Sequence, residues 1–242
     1  MLRTFVTVAL GWVAASLASV ALAQGTTLTP FAKGESAPNA PWKFIGLPGQ
    51  TKPVTKFSLV DLDGKRALKV EADLSYGNLA HAVRADPGTQ LAWQWRVEKF
   101  VDAADLREKT GDDTAVKVCV FFDMPLDKVP FGDRQLLKLA RSRTSDVLPT
   151  ATVCYVWDNK LPVGTTLDNA FTRRMRYMVL RTGTVGADKW TAQKRDVGAD
   201  FLKLFGDEST EIPAISGIAV GADSDNTQSH SVSYVADLVL SR

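Results

Sequence analysis

Acidic side chains cluster in three predicted turns, where carboxylate oxygens can bind a cation or transfer a proton. One turn precedes a predicted strand and two follow one, and together they contribute Asp112, Asp113, Asp158, Asp223, Asp225 and Asn226. Loops this rich in oxygen suit Ca²⁺. The run from Asp223 is not an EF-hand, because Thr227 and Gln228 stand where that loop needs Asp or Asn and then Gly. Calcium is the one cofactor that the sequence suggests, and ordinary turn chemistry, which favours Asp and Asn, is the alternative.

Strand direction decides whether these turns share a site. The first turn precedes the predicted strand Val116–Phe122, whereas the others follow Thr150–Trp157 and Ile215–Gly221. If both of the latter strands run antiparallel to the first in one sheet, all three turns meet at one end. Carboxylates packed together repel, so such a cluster needs a cation, an arginine or raised pKa values.

A second candidate surface lies on the predicted strand 90–97. Its residues alternate, so that Trp93 and Trp95 share an apolar face while Gln94 and Arg96 share the opposite, polar face. We expect the tryptophans to be core residues, given the area that buried aromatics contribute, and the polar face to be a binding surface. The alternative is that the tryptophans form an aromatic platform for a sugar ring.

Catalytic machinery is not evident in the sequence. There is no G-x-S-x-G motif, no C-x-x-C motif and no Gly-rich loop between a strand and a helix, and the only histidines are His81 and His230. A carboxylate pair that cleaves glycosidic bonds needs a defined separation, which a sequence does not supply.

Cys119 and Cys154 each lie inside an apolar, strand-like run. We predict that they form a disulfide, which would close a loop of about 35 residues and contribute about 4 kcal/mol in the chain-entropy model. The alternative is a pair of inert, buried thiols.

Residues 1–23 have the three parts of a cleavable signal peptide. Arg3 is followed by an apolar stretch at 5–22, and the small residues Ala21 and Ala23 flank a cleavage position before Gln24. A retained membrane anchor is the alternative. The net charge of +2 offers no electrostatic footprint for nucleic acid, and no polybasic block points to a membrane surface. No second apolar stretch is long enough to span a bilayer.

Short alternating runs separated by turns predict an all-β fold. We expect a single antiparallel β-sandwich of jelly-roll type over residues 54–242, preceded by an extension at 24–53 with little regular structure. Two short helices are expected in its connections. One is N-capped by Asp133 and covers 134–140, and the other opens at Asp196 or Gly198 and ends before Gly206.

Several motifs taken together resemble an exported proteobacterial family catalogued as domain of unknown function 3047. In chain order they are Trp93–Val97, Gly111–Asp113, Tyr155–Trp157, Arg195–Val197 with Asp200 and Phe205–Gly206, and Asp223–Thr227. The resemblance covers about residues 54–240 and implies an exported, β-rich domain with no assigned activity. The run Tyr234–Leu238 is also similar to the last strand of jelly-roll carbohydrate-binding modules. Cys119 and Cys154 stand where the family has other residues, which implies a disulfide particular to this protein.

These observations favour a periplasmic or secreted, non-catalytic binding protein for a glycan or another cell-envelope component. Two alternatives stay open. One is a carbohydrate-active hydrolase or lyase that uses carboxylates of the acidic turns as acid and base. The other is a structural assembly partner without a ligand.

Overall fold

A computed structural model describes residues 27–241 apart from 48, 145 and 147. The predicted signal peptide lies outside the described residues and stays a prediction. In chain order the strands are β1 (Trp42–Ile45), β2 (Lys56–Leu62), β3 (Lys65–Asp73), β4 (Tyr76–Ala85), β5 (Gln90–Lys99), β6 (Thr114–Phe122), β7 (Ala151–Asp158), β8 (Thr166–Asp168), β9 (Met175–Thr182), β10 (Thr191–Asp196), β11 (Ile215–Asp223) and β12 (His230–Ser241). The helices are α1 (Phe131–Arg141) and α2 (Val197–Phe205).

The strands form two sheets. The seven-stranded sheet has the order β1-β4-β11-β6-β7-β9-β8, and the five-stranded sheet has the order β10-β5-β12-β3-β2. Successive strands from β3 to β6, and again from β10 to β12, alternate between the two sheets, which is jelly-roll connectivity. The predicted β-sandwich is therefore confirmed.

Pairing between the twelve named strands is antiparallel with one exception, the parallel pair β7–β9. The chain leaves β7 for the sheet edge, forms β8, and returns as β9 antiparallel to β8. Strand β9 lies between β8 and β7 and runs parallel to β7. Strand β4, which no alternating run predicted, lies between β1 and β11.

Both helices lie in connections between strands. Helix α2 begins after Asp196, whose side chain accepts a hydrogen bond of 2.9 Å from the main-chain N–H of Ala199, as the capping prediction requires. Helix α1 begins at Phe131, so the predicted N-cap at Asp133 is wrong. Asp133 lies in the first turn of the helix and pairs with Arg174 at 3.0 Å instead. No helix among the described residues is long and apolar enough to cross a membrane.

The main core lies between the sheets and contains Trp93 and Trp95, both fully buried, which confirms their predicted role. Their ring centroids lie 5.3 Å apart in an edge-to-face arrangement, and Trp93 packs against Tyr155 at 5.2 Å.

The predicted disulfide between Cys119 and Cys154 is present. The two residues are directly opposite in the β6–β7 register, with their Cα atoms 4.1 Å apart. Both are buried in a smaller apolar cluster on the outer face of the seven-stranded sheet. The cysteines thus cross-link two central strands on the side facing away from the main core.

Candidate functional site

The three acidic turns meet at one end of the seven-stranded sheet. Strands β7 and β11 both run antiparallel to β6, and Asp223 at the end of β11 lies opposite Thr114 at the start of β6. Asp113 and Asp158 line one small cavity there. The strand directions therefore bring the three acidic turns to the same end of the sheet.

Two of the carboxylates fix the conformation of turns. Asp158 accepts a hydrogen bond of 2.6 Å from the main-chain N–H of Lys160. Asp113 accepts one of 2.7 Å from the main-chain N–H of Thr227, and Asn226 donates to Asp113 across the same gap. Asp158 thus matches the ordinary turn chemistry of Asp, whereas Asp113 and Asn226 join two turns that are far apart in the sequence.

Asp223 has a different role, because it pairs with a buried lysine. Lys117 Nζ lies 2.7 Å from Asp223 Oδ2, and the side chains are 0% and 3% exposed. The main-chain N–H of Thr114 donates to the other carboxylate oxygen at 3.0 Å. Lys117 is on the outward-facing side of β6, and the strand pairing places it beside Asp223.

Asp112 extends this buried group on the same side of the sheet. The hydroxyl of Tyr177 donates to Asp112 Oδ1 at 3.2 Å, and the amide of Asn169 donates to Asp112 Oδ2. Asn169 also donates to the Tyr177 hydroxyl at 2.9 Å. On the other flank, Lys117 Nζ lies 5.0 Å from the centroid of the Tyr76 ring. We call this set the Lys117 cluster; its members are Lys117, Asp223, Asp112, Tyr177, Asn169 and Tyr76.

Burial dominates the electrostatics of the Lys117 cluster. It raises the pKa of Asp223 to about 7, against the opposing effect of Lys117 and with a further rise from Asp112. Burial also raises the pKa of Asp112. For Lys117, burial favours the neutral amine, but the carboxylate of Asp223 outweighs that effect and the pKa of the ammonium is raised. The cluster is therefore held together by one ammonium group facing two carboxyl groups.

The Lys117 cluster is closed to a large ligand. Asp112 and Asp223 are only 4% and 2% exposed. A cavity at the same end of the sheet is lined among others by Asp113, Asp158 and Trp157 and by no member of the Lys117 cluster. Its volume of about 10 Å³ suffices for about one water molecule. In the part of the chain that the structure describes, no three His, Cys, Asp or Glu side chains are placed to hold one metal ion.

The remaining acidic residue, Asp225, is also buried. Its Oδ2 lies 3.7 Å from Lys52 Nζ, a contact that the exposure of the lysine makes weak. Its Oδ1 has no hydrogen-bond partner among the described residues. Asp225 is therefore less tightly held than its neighbours in the acidic turns.

Sequence reasoning missed the partners that explain the buried carboxylates. Lys117, Tyr177, Asn169 and Tyr76 were not among the predicted site residues. One signal was available: Lys117 interrupts an otherwise apolar run, and a lysine inside such a strand needs a buried counter-charge.

The other predicted residues, Gln94 and Arg96, lie on the outer face of the five-stranded sheet, so the site residues fall in two separate places. Arg96 Nη1 pairs with Asp63 Oδ2 at 2.7 Å, and Gln94 Nε2 donates to Asp237 Oδ2 at 2.8 Å. The Arg96 guanidinium also lies 5.6 Å from the centroid of the Tyr234 ring.

Aromatic and charged side chains surround Arg96. Tyr234 is opposite Arg96 in the β5–β12 register and donates to Glu98 Oε2 at 2.7 Å. Trp190, which is partly exposed, packs against the small apolar patch that contains Tyr234. In the next strand, Lys69 is opposite Tyr234 and pairs with Glu71 at 2.9 Å. We call this surface the Arg96 face; its members are Gln94, Arg96, Glu98, Trp190, Tyr234, Lys69 and Glu71.

The fold and these two groups of polar residues describe a jelly-roll β-sandwich with a closed ionic cluster on one side and an open polar face on the other. The chain belongs to the family described as "Protein of unknown function (DUF3047)", whose model matches residues 40–239. No curated protein matches it.

Solved structures with a similar fold include several proteins whose names refer to carbohydrates. The structure of TmCBM61 in complex with β-1,4-galactotriose has 11% identity, covers 89% of this chain and 99% of its own, and gives a TM-score of 0.36. The xyloglucanase domain of NopAA from Sinorhizobium fredii has 8% identity and a TM-score of 0.42, and the match covers 85% of this chain and 99% of that domain. Endoglucanase 3 of Trichoderma harzianum has 7% identity and a TM-score of 0.38, and the match covers 84% of this chain and 99% of the endoglucanase. Identities this low assign no ligand or activity to this chain.

Proposed function

We propose that this protein is a non-catalytic, exported protein that binds a neutral glycan on the Arg96 face. The observation that carries the proposal is the position of Trp190, which packs against the patch that contains Tyr234 on the sheet face that bears Gln94, Arg96 and Glu98. Sugar rings pack their C–H surfaces on aromatic side chains, and their hydroxyls exchange hydrogen bonds with amide, guanidinium and carboxylate groups.

The charge balance of the face favours a neutral ligand. Arg96 pairs with Asp63, and Lys69 pairs with Glu71, so neither cation is left to attract a polyanion. A neutral glycan can exchange hydrogen bonds with such pairs without separating them. The same pairs hold the side chains in place, which lowers the entropy lost on binding.

Burial argues against the alternative of a hydrolase or lyase. A general acid must come within hydrogen-bond distance of the glycosidic oxygen. The two carboxyls with raised pKa values, Asp112 and Asp223, are nearly wholly buried, and Asp113 and Asp158 are engaged with main-chain N–H groups. This arrangement supports a structural role for the acidic turns and a binding role for the Arg96 face.

Export to the periplasm is part of the proposal. A buried disulfide is typical of proteins that fold in an oxidising compartment. We expect the intact mass of protein recovered from the periplasm to match a chain that begins at Gln24. A mature species that retains Arg3 would mean an anchor instead of a signal peptide.

Binding is tested by screening the mature protein against a panel of neutral oligosaccharides and measuring each hit by titration calorimetry. We expect Trp190→Ala and Arg96→Gln each to weaken binding by about tenfold or more. The matched control is Arg107→Gln, since Arg107 also pairs with an aspartate, Asp105, at 2.6 Å but lies in the loop before β6.

Two results would contradict the proposal. In one, no neutral oligosaccharide in the panel binds, which would favour the assembly partner without a ligand. In the other, a sugar binds but neither substitution on the Arg96 face changes its affinity. Circular dichroism of each variant shows whether a loss of binding reflects a loss of the fold.

A further inference from the structure

Helix α1 presents an apolar stripe to solvent. Phe131, Leu136 and Leu139 are 72%, 66% and 50% exposed, whereas Leu137 is the one buried residue of the helix. At about 100° per residue, the three exposed side chains lie within about 140° on one side of the helix, and Leu137 lies on the other. A single exposed leucine needs no explanation, but a stripe of three large apolar side chains on one helix face indicates a contact surface.

The charge around this stripe is positive on balance, although the exposed Asp123 and Asp127 precede the helix. Five cations fall between residues 128 and 143: Lys128, Arg134, Lys138, Arg141 and Arg143. Within the described part of the chain, none of them has a carboxylate at ion-pair distance. The guanidinium groups of Arg134 and Arg141 instead donate to main-chain carbonyls, those of Val129 and Leu148. Asp133, the one acidic residue of the helix, is engaged by Arg174.

We propose that α1 docks this protein onto an anionic phospholipid surface. Helices that lie in a membrane interface combine an apolar face with lysine and arginine beside it, and cations near the surface attract acidic headgroups. The cations here are spread over the helix and its flanks, which is why the sequence shows no contiguous polybasic block. This inference is independent of glycan binding.

The position of α1 in the fold is compatible with docking. The helix connects the end of β6 to the start of β7, so it lies at the end of the seven-stranded sheet opposite the acidic turns. A membrane contacted there is remote from the carboxylates of the acidic turns. The Arg96 face, on the other sheet, stays open to solvent.

Co-sedimentation of the mature protein with vesicles tests the proposal. We expect binding to vesicles of phosphatidylcholine with phosphatidylglycerol, little binding to phosphatidylcholine alone, and weaker binding as salt rises. The double variant Leu136→Ser/Leu139→Ser should lower the partition coefficient by about tenfold or more, since each leucine loses most of its transfer free energy. The matched control is Val185→Ser, which removes a side chain 89% exposed in the loop after β9, at the acidic end of the sheet.

Three outcomes would overturn the proposal. The first is no sedimentation with anionic vesicles, and the second is sedimentation that the double variant leaves unchanged. The third is a dimer, seen by light scattering, that the double variant dissociates while vesicles are not bound; the occupant of the stripe would then be a second copy of this chain. Phe131→Ser provides an independent variant if the double variant is unfolded by circular dichroism.

Discussion

Replacing Lys117 by methionine tests the physical account of the buried cluster. Methionine keeps much of the volume of the side chain but removes the ammonium group that lies 2.7 Å from Asp223. The carboxylate then keeps only the N–H of Thr114 and the unfavourable field of Asp112. Breaking a buried pair in this way leaves an uncompensated charge, and we expect the free energy of unfolding to fall by about 3–5 kcal/mol at about pH 8.

The stability lost on replacing Lys117 should be larger at high pH than at low pH. The folded-state pKa of Asp223, about 7, lies above the ordinary value of 3.8, so the protonated form is the one that the fold favours. This contribution to stability is complete below about pH 4 and is lost as the pH rises through 7. Removing Lys117 raises the pKa of Asp223 further. The variant should therefore lose more stability at about pH 8 than at about pH 5, by up to about 1.4 kcal/mol, because the carboxyl of Asp223 in the unsubstituted protein is deprotonated only over the last pH unit, from about 7 to 8.

Urea unfolding followed by tryptophan fluorescence measures these differences. The control is Lys43→Met, because Lys43 is also a strand lysine paired with an aspartate, Asp146 at 2.9 Å, but is mostly exposed. We expect that control to change stability by less than about 1 kcal/mol. A loss below about 1 kcal/mol for the Lys117 variant, or the same loss at both pH values, would refute the view that this ammonium compensates a buried carboxylate.

Three other predictions concern the core, the disulfide and calcium. Replacing Cys119 and Cys154 together by alanine should cost about 4 kcal/mol in urea unfolding, given the sequence separation of 35; a loss below about 1 kcal/mol would contradict the chain-entropy argument. Trp95→Ala should cost about 3–5 kcal/mol, because the ring is fully buried; unchanged stability would be at odds with a core role. Chelation of calcium should leave the thermal midpoint unchanged, and a midpoint that rises on adding calcium would reveal a site that the described residues do not form.

The strands that alternate between apolar and polar residues could be predicted from the sequence. In β5, the burial of Trp93 and Trp95 follows directly from the period of two. Strand β4 could not be found in this way, because its outward positions hold small or polar residues, such as Asn78 and Ala80, and its inward face includes Gly77 and His81. Period-two patterns indicate a strand only where one face is apolar and the other is not.

Strand β12 shows how a bulge defeats the same reasoning. Mostly apolar residues occupy every second position of this strand, as if all shared one face: Val232, Tyr234, Ala236, Leu238 and Leu240. The register shifts after Ala236, where Asp237 adopts a φ of 52°, and the face of the strand is reversed beyond that point. Tyr234 therefore lies in the outer patch with Arg96, whereas Leu238 packs on the main core. A one-residue bulge is a local backbone event that a pattern of side chains does not encode.

The candidate site was predictable in part. The carboxylates of the acidic turns could be found from turn chemistry, and their convergence followed once strand directions were assumed. Their separation from Gln94 and Arg96 could not be foreseen, because it depends on which sheet each strand joins. Lys117 and Tyr177 reach the carboxylates only through the pairing of β6 with β11 and of β7 with β9, which are contacts between residues far apart in the sequence.

The contrast between the two outer faces supports a division of roles. On the seven-stranded sheet, Lys117 pairs with Asp223, and Asp112 accepts hydrogen bonds from Tyr177 and Asn169. Both carboxyl groups are buried, so the cluster cannot exchange its partners for a ligand without exposing a buried polar group. On the five-stranded sheet, the pairs of Arg96 with Asp63 and of Lys69 with Glu71 are partly exposed, and each pair is individually weak. Weak, exposed pairs can bind sugar hydroxyls at little cost, whereas the buried pair cannot. This contrast supports the proposal that a reversible ligand binds the Arg96 face and that the role of the Lys117 cluster is structural.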